Sequence, residues 1–157
     1  ISSQNGAGIV TTKSFTLEPR VGHKGPVVAE FEGGILNSMG LCNPGIINGI
    51  AEINEFKKRS DTPVIASVFA TNADDFLRLT KYINDSQADF LELNLSCPNV
   101  YDEFGIPLAA SEKEVFKIVK AVKQISELPV IAKLSPNVYD IISIAKAAES
   151  AGADALC

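Results

Sequence analysis

Short apolar runs recur along this chain of 157 residues, and turn-favouring residues bound each of them. Runs of this length, rich in β-branched residues, are typical of strands that are buried on both faces. The sequence therefore predicts five strands, at residues 8–12, 63–69, 89–95, 129–134 and 153–157.

Helical patterns occupy several of the intervals between these runs. Apolar residues at helical spacing predict helices over 73–84, 111–125 and 139–150. Ser111 and Glu114 form a capping-box pair at the start of the second helix, and Gly152 is a plausible C-cap of the third. Regular alternation of strand and helix is typical of βαβ units around a parallel sheet, so the predicted fold class is α/β.

The composition of the chain argues against several classes of function. The chain is 46% hydrophobic and 21% charged, as expected for a folded domain, and its net charge of −5 argues against binding to nucleic acid. We find no apolar stretch of the roughly 20 residues that span a bilayer and no signal peptide, so we expect no membrane association. Three widely spaced cysteines indicate reduced thiols in a cytoplasmic protein, with no metal site.

Polar residues stand at the carboxyl ends of the predicted strands. Lys13 follows the first strand, Asn94 ends the third and Lys133 lies near the end of the fourth. Ligands of parallel α/β folds bind at this edge, so these side chains are candidates for a binding site. Each also has a simpler interpretation as a loop side chain, and Lys13 as a lysine that snorkels to water.

The segment Asn94-Leu95-Ser96-Cys97-Pro98-Asn99 has the most specific chemistry. Its two amides can read the carbonyl and N–H edges of a planar ring, and a deprotonated thiol can act as a base. The alternative is that Cys97 is a small buried hydrophobic residue. A second segment, 33–45, is rich in glycine and proline, which favours either close approach of the backbone to a ligand or a plain turn-rich connection. It lacks the standard phosphate-loop motifs.

Five segments together resemble class 1 dihydroorotate dehydrogenase over nearly the whole chain. They are Lys13-Ser14, Leu17-Glu18-Pro19-Arg20, Asn37-Ser38-Met39-Gly40-Leu41 with Asn43-Pro44-Gly45, Asn94-Leu95-Ser96-Cys97-Pro98-Asn99 and Lys133-Leu134-Ser135-Pro136-Asn137. The resemblance implies a (β/α)8 TIM barrel that contains FMN, of which residues 1–157 would be a partial catalytic domain covering about strands 2 to 6. It also implies oxidation of dihydroorotate to orotate in the biosynthesis of pyrimidines.

The resemblance assigns a role to each matching residue. Cys97 would be the base that removes the C5 proton, while the C6 hydride passes to N5 of FMN. The implied substrate contacts are Lys13, Asn37, Met39, Gly40, Leu41, Asn94 and Asn99. The implied flavin contacts are Lys13, Ser14, Ser67, Asn94 and Lys133. Ser67 stands where the family often has Asn, and His23, also at a position where Asn is common, has no assigned role.

The same resemblance favours one branch of the family. Class 2 members use Ser in place of Cys97 and carry an N-terminal membrane-binding helix, so a Cys base points to class 1. Segment 17–20, the pair Phe104-Gly105 and segment 134–138 are closer to the NAD-linked branch than to the fumarate-linked branch. That branch implies a homodimer paired with an electron-transfer subunit that carries FAD and a [2Fe–2S] cluster.

Two alternatives remain open at this stage. Dihydropyrimidine dehydrogenase shares the Asn-x-Ser-Cys-Pro core but tends to continue with His-Gly, whereas this chain has Asn99-Val100. A non-catalytic binding module, or an inactive piece of the enzyme, is the other. About five strands against eight in a closed barrel lead us to expect that this chain alone is inactive. Residues 98–110 are predicted to form a lid over Cys97.

Overall fold

The computed structural model describes residues 3–96 and 108–157. The strands are β1 (Val10–Thr11), β2 (Val28–Phe31), β3 (Gly34–Asn37), β4 (Val64–Val68), β5 (Phe90–Asn94), β6 (Val130–Lys133) and β7 (Ala155–Leu156). The helices are α1 (Gly45–Lys57), α2 (Ala73–Asn84), α3 (Glu112–Lys123) and α4 (Ile141–Ser150), with short 3-10 turns at Ser3–Asn5 and Leu108–Ala110. All five predicted strands and all three predicted helices are confirmed.

Five of the strands form one parallel sheet in the order β1-β4-β5-β6-β7. Each strand therefore lies next to the strand that follows it in this series, and the order never reverses. A doubly wound sheet reverses its order at a switch point, whereas the wall of a (β/α)8 barrel does not. The sheet is thus singly wound, as the prediction of a barrel section requires.

The helices pack side by side against the sheet, α1 on α2, α2 on α3 and α3 on α4. The core lies between these helices and alternate strand residues, including Ala66, Leu91, Leu93, Val130 and Ala132. The helices contribute the faces that the apolar spacing predicted, namely Phe76, Leu79 and Ile83 from α2 and Val115, Ile118, Val119 and Val122 from α3. In α4 only Ile144 and Ala148 are buried, because Ile141 and Ile142 at its start face away from the core.

Local capping explains where the helices begin. Ser111 accepts a hydrogen bond from the Glu114 N–H, so the predicted cap of α3 is confirmed. Asn72 and Asp140 cap α2 and α4 in the same way. Gly152, just past α4, has a φ of +100°, a conformation that glycine adopts without strain.

Two features were not predicted. Residues 34–37, which we expected in a connection or a ligand-binding loop, form the second strand of an antiparallel hairpin with β2. Gly33 serves its tight turn, with a φ of +91°. Helix α1 was also missed, because Ile and Asn are weak helix formers and glycine is worse. Gly49 is required there: a Cβ would lie 2.6 Å from the ring of Phe15.

Two carboxylates bracket the amino ends of the sheet in the same manner. Asp89, just before β5, accepts from the N–H of Val64 at the start of β4 (2.8 Å) and from Lys57 at the end of α1 (3.0 Å). Asp154, just before β7, accepts from the N–H of Val130 at the start of β6 (2.6 Å) and from Lys123 at the end of α3 (2.7 Å). Each carboxylate thus ties two strands and a helix together.

These contacts set the charge state of both groups. Burial raises the pKa of Asp89, but the Val64 N–H and the Lys57 ammonium outweigh it, and the net pKa lies below the ordinary value of 3.8. The Lys123 ammonium, followed by the Val130 N–H, lowers the pKa of Asp154 from the same value. Both groups therefore stabilise the folded chain in their ionised form.

We predict that Asp89→Asn and Asp154→Asn each lower the free energy of unfolding at pH 7 by about 0.5–1 kcal/mol, since both ion pairs are partly exposed. Because the folded pKa is depressed, this contribution is present above the unfolded pKa and is lost as the pH falls through the folded pKa. Urea denaturation at pH 7 and pH 3 measures it, with the exposed Asp61→Asn as the matched control. A loss that is the same at both pH values would contradict the assignment.

Candidate functional site

A chain of buried hydrogen bonds crosses three strands near their carboxyl ends. The Asn94 Nδ2 donates to the Ser14 Oγ at 2.9 Å, and the Ser14 Oγ lies 2.9 Å from the Ser67 Oγ. All three side chains are buried. The structure therefore brings together three of the residues that the sequence singled out, from segments separated by 53 and 80 positions.

A local irregularity of the first strand places Ser14 in this chain. Beyond β1, the Thr12 Oγ1 accepts from the Ser67 N–H at 3.1 Å, in place of a backbone carbonyl. Regular pairing resumes at Phe15, whose N–H donates to the Ser67 carbonyl at 2.9 Å. Residues 12–14 thus bulge out of the ladder, which brings the Ser14 hydroxyl to Ser67. The role of Thr12 was not predicted from the sequence.

Glu92 completes the chain and was also missed. It lies beside Ser67 in the register of β4 and β5, and the Ser67 Oγ donates to its Oε1 at 2.7 Å. The carboxylate is 5% exposed and forms no ion pair with any residue in 3–96 or 108–157. The available signal was its position: a glutamate between two leucines in an apolar strand needs a specific partner.

Asn94 also shapes the turn that follows β5. Its Oδ1 accepts from the N–H of Ser96 at 3.2 Å and from the Ser96 Oγ at 2.7 Å. The predicted base Cys97 and the predicted substrate contact Asn99 lie outside the described residues, as does most of the predicted lid at 98–110. The last part of that lid, Leu108–Ala110, is corrected: Leu108 and Ala109 are buried, so these residues belong to the packed body.

The two lysines of the predicted site, Lys13 and Lys133, differ in their exposure to solvent. Lys133 at the end of β6 is directly beside Asn94 in the register and is half-buried, so its stem covers the same face of the sheet. Lys13 is exposed, and its carbonyl accepts from the Thr12 hydroxyl at 2.9 Å. Lys133 thus stands beside the buried chain of Ser14, Ser67 and Asn94, and Lys13 directly precedes Ser14 along the backbone.

The predicted substrate segment is separate from this chain but is anchored close to it. Asn37 ends β3 and is exposed, and Met39 is also exposed. The anchor is the buried Asn43, whose Oδ1 accepts from the N–H groups of Thr16 (3.1 Å) and Gly45 (2.9 Å). Its Nδ2 donates to the Thr16 Oγ1 and to the Leu41 carbonyl at 2.8 Å. Asn43 therefore attaches residues 39–43 to Thr16, which follows Ser14 by two positions in the sequence.

The backbone of this segment is held in an uncommon conformation. Gly40 has a φ of +71° and Leu41 a φ of +55°, and Leu41 is the non-glycine residue with positive φ in the described chain. A Cβ on Gly40 would lie 2.5 Å from the backbone nitrogen of His23, so the two segments cross closely. A left-handed leucine costs about 1–2 kcal/mol and is typical of sites where the backbone is shaped for a ligand.

The described residues carry neither a cluster of metal ligands nor a helix that could cross a membrane. Within 3–96 and 108–157, no group of three His, Cys, Asp or Glu side chains is placed to hold a metal ion. None of the helices formed by these residues has both the length and the apolar character needed to cross a bilayer.

Comparison with known proteins identifies the family in which this arrangement of residues occurs. The family model for dihydroorotate dehydrogenase matches residues 1–157. The chain belongs to the dihydroorotate dehydrogenase family. Enzymes of this family are flavin-dependent (β/α)8 barrels, and the singly wound sheet with its alternating helices fits a section of such a barrel.

Several relatives carry one name, dihydroorotate dehydrogenase B (NAD(+)), catalytic subunit. The protein from Thermoplasma acidophilum is 48% identical over 149 residues, which are 95% of this chain and 49% of the relative. Those from Listeria innocua and Caldicellulosiruptor bescii are each 44% identical, over 97% and 95% of this chain and 50% and 49% of the relative. The chain thus spans about half the length of the curated relatives it matches.

We predict that Asn43→Ala lowers the free energy of unfolding by about 2–3 kcal/mol, because it leaves the buried N–H of Gly45 and the partly buried N–H of Thr16 without an acceptor. Asn48→Ala is the matched control: Asn48 is an exposed residue of α1 that donates to the Pro44 carbonyl at 3.2 Å. Denaturant titration of both variants makes the comparison. Equal losses would show that Asn43 does not anchor the segment.

Proposed function

We propose that this chain is part of the catalytic subunit of an enzyme that oxidises dihydroorotate to orotate in pyrimidine biosynthesis. The observation that carries the proposal is the buried chain of Ser14, Ser67 and Asn94 at the carboxyl edge of the sheet, beside Lys133. Asn94 stands three positions before Cys97 in the sequence, and the family model matches residues 1–157.

The residues at this edge suit FMN as the cofactor. A flavin ring presents carbonyl and N–H groups at its edge and gains negative charge on reduction. Hydroxyls and an amide at Ser14 and Asn94 match the first property, and the half-buried ammonium of Lys133 matches the second. We propose Lys13, Ser14, Asn94 and Lys133 as residues that contact FMN, and Ser67, which is 1% exposed, as a residue that holds FMN through its hydrogen bond to Ser14. When bound, FMN supplies the acceptor for the hydride that leaves C6 of the substrate.

The chain's own contribution to the chemistry is removal of a proton. Cys97, as a thiolate, takes the proton from C5 of dihydroorotate, so that a C–H bond breaks and an S–H bond forms. Asn94 positions the start of this segment, because its Oδ1 holds both polar groups of Ser96. We propose Asn94 and Asn99 as amides that read the carbonyl and N–H edges of the pyrimidine ring.

The anchored segment 37–41 supplies the other side of the substrate site. Gly40 and Leu41 hold the backbone in a left-handed conformation, and Asn43 ties that backbone to Thr16. We propose that Asn37, the backbone of Met39, Gly40 and Leu41, and the Lys13 ammonium contact the substrate. The positive charge of Lys13 suits the carboxylate of dihydroorotate.

The names of the relatives bear on partners. Each is the catalytic subunit of an NAD(+) enzyme, which supports a further subunit that passes electrons to NAD(+). We propose that this partner carries FAD and a [2Fe–2S] cluster and that the catalytic subunit is a homodimer. The odd number of cysteines, with Cys42 and Cys157 both unpaired, supports a reducing, cytoplasmic location.

We predict that Cys97→Ala, in a full-length protein that carries this sequence, removes dihydroorotate-dependent loss of flavin absorbance while FMN stays bound. General base catalysis contributes about 10²–10⁴-fold, so the rate of flavin reduction should fall by at least a hundredfold. Anaerobic stopped-flow absorbance measures that rate. In the unmodified protein the rate should rise with pH through the pKa of the thiol.

Two variants control this experiment. Cys42→Ala removes a half-buried thiol of the described chain and should leave the rate of reduction intact. Cys97→Ser keeps a weaker base and should retain some activity that increases at higher pH. Unchanged reduction kinetics in Cys97→Ala would refute the base assignment.

Substrate choice provides a separate prediction. Dihydroorotate should reduce the flavin, whereas dihydrouracil, which lacks the carboxylate that Lys13 is proposed to meet, should reduce it at least tenfold more slowly, about the value of one lost charged contact. Comparison of the two substrates by flavin absorbance is the measurement. Preference for dihydrouracil would favour the dihydropyrimidine dehydrogenase activity instead.

A further inference from the structure

The chain of hydrogen bonds that joins Asn94, Ser14, Ser67 and Glu92 has a defined direction. A carboxylate oxygen has no hydrogen to give, so the single hydroxyl hydrogen of Ser67 is donated to the Glu92 Oε1 at 2.7 Å. The Ser67 Oγ must then accept at its 2.9 Å contact with Ser14. Ser14 is therefore the donor in that contact.

The other end of the chain agrees with this direction. The Asn94 Oδ1 accepts from both polar groups of Ser96, which fixes the amide so that Nδ2 points to Ser14. That Nδ2 donates to the Ser14 Oγ at 2.9 Å. Every hydroxyl hydrogen thus runs one way, from Asn94 through Ser14 and Ser67 to Glu92.

We propose that Glu92 is a positioning residue that fixes this direction and so leaves Ser14 able to offer a bound ligand only a lone pair. The inference rests on the proposed function, in which Ser14 contacts FMN. Glu92 acts through Ser67, which is 1% exposed, whereas Ser14 is 8% exposed and lies nearer to the open edge. Ser14 then selects an N–H or O–H group of the cofactor, both of which FMN carries, and disfavours a carbonyl oxygen.

Glu92 forms no ion pair with any described residue, so its proposed role is to accept the Ser67 hydrogen bond and not to balance a positive charge. Among the described residues no Lys or Arg nitrogen lies within 4 Å of the Glu92 carboxylate, and its one hydrogen-bonded partner in that part of the chain is a hydroxyl. If direction is what matters, any acceptor of the same shape will serve. Glu92→Gln keeps such an acceptor in its amide oxygen, while Glu92→Leu keeps the volume and removes the acceptor.

The test measures FMN binding in the full-length protein. We expect Glu92→Leu to weaken FMN affinity by about tenfold, the equivalent of one hydrogen bond, and to change the visible spectrum and midpoint potential of the bound flavin. Glu92→Gln should restore affinity, spectrum and potential towards those of the unmodified protein. Adding Ser67→Ala to Glu92→Leu should cause no further loss, because the direction is already undefined.

A matched control separates this effect from general destabilisation. Thr80 is a fully buried residue of α2 whose hydroxyl donates to the Phe76 carbonyl at 2.8 Å, away from the site. Thr80→Val should lower the melting temperature of the apoprotein without changing FMN affinity. If Glu92→Leu does not fold, Ser67→Ala alone carries the test and should weaken FMN binding to the same degree.

Three outcomes would overturn the proposals. FMN binding by Glu92→Leu and Ser67→Ala that equals that of the unmodified protein would refute the inference while leaving the proposed function in place. An equal loss in Glu92→Gln and Glu92→Leu would show that charge, not direction, is required. Failure of the unmodified full-length protein to bind FMN would refute the proposed function, and the inference with it.

Discussion

The helices of the described residues pack on one face of the sheet, and the rest of the structure depends on how the polar groups of the opposite face are satisfied. An unpaired buried hydroxyl, amide or carboxylate costs more than a hydrogen bond contributes. Ser14, Ser67, Glu92 and Asn94 meet this constraint by bonding to one another. Because each of these bonds joins residues from two different strands, or from a strand and the bulge beyond β1, the same bonds also fix the relative position of three strands.

The two ends of the sheet divide stability from chemistry. At the amino ends, Asp89 and Asp154 each bind a strand N–H and a lysine at a helix end, which holds successive βαβ units in register. At the carboxyl ends, neutral groups predominate in the buried chain, and the charged Lys133 stands beside Asn94. This division agrees with the general rule that parallel barrels bind ligands at the carboxyl ends of their strands.

Sequence patterns predicted the elements whose signal is local. The helix over 73–84 and the strands over 63–69 and 89–95 follow from apolar spacing alone, and the structure reproduces them. Helix α1 was missed because its stability comes from packing, with Gly49 against Phe15, and packing is invisible to propensity. The hairpin was missed because its glycines fit a loop as well as a turn.

The candidate site shows more clearly that local sequence patterns do not reveal contacts between distant residues. Asn94, Lys133 and Ser14 were found because motif and strand position mark them, whereas Glu92, Thr12 and Asn43 act through partners 25 to 55 positions away. No local pattern encodes such partners. Glu92 came nearest to being detectable, since an acidic residue in a buried strand signals that a partner exists but does not say which one.

One short segment connects the cofactor and substrate sides of the proposed site. Thr12 holds the Ser67 N–H, Ser14 joins Asn94 to Ser67, and two residues later Thr16 binds Asn43. Thr12 and Ser14 thus bind the buried chain on the proposed cofactor side, and Thr16 binds Asn43, which anchors the proposed substrate segment. Because these bonds belong to one short stretch of backbone, the positions of Asn43 and Ser14 are both fixed by residues 12–16. The position of the proposed substrate segment is consequently set by the same five residues that hold the proposed cofactor contacts.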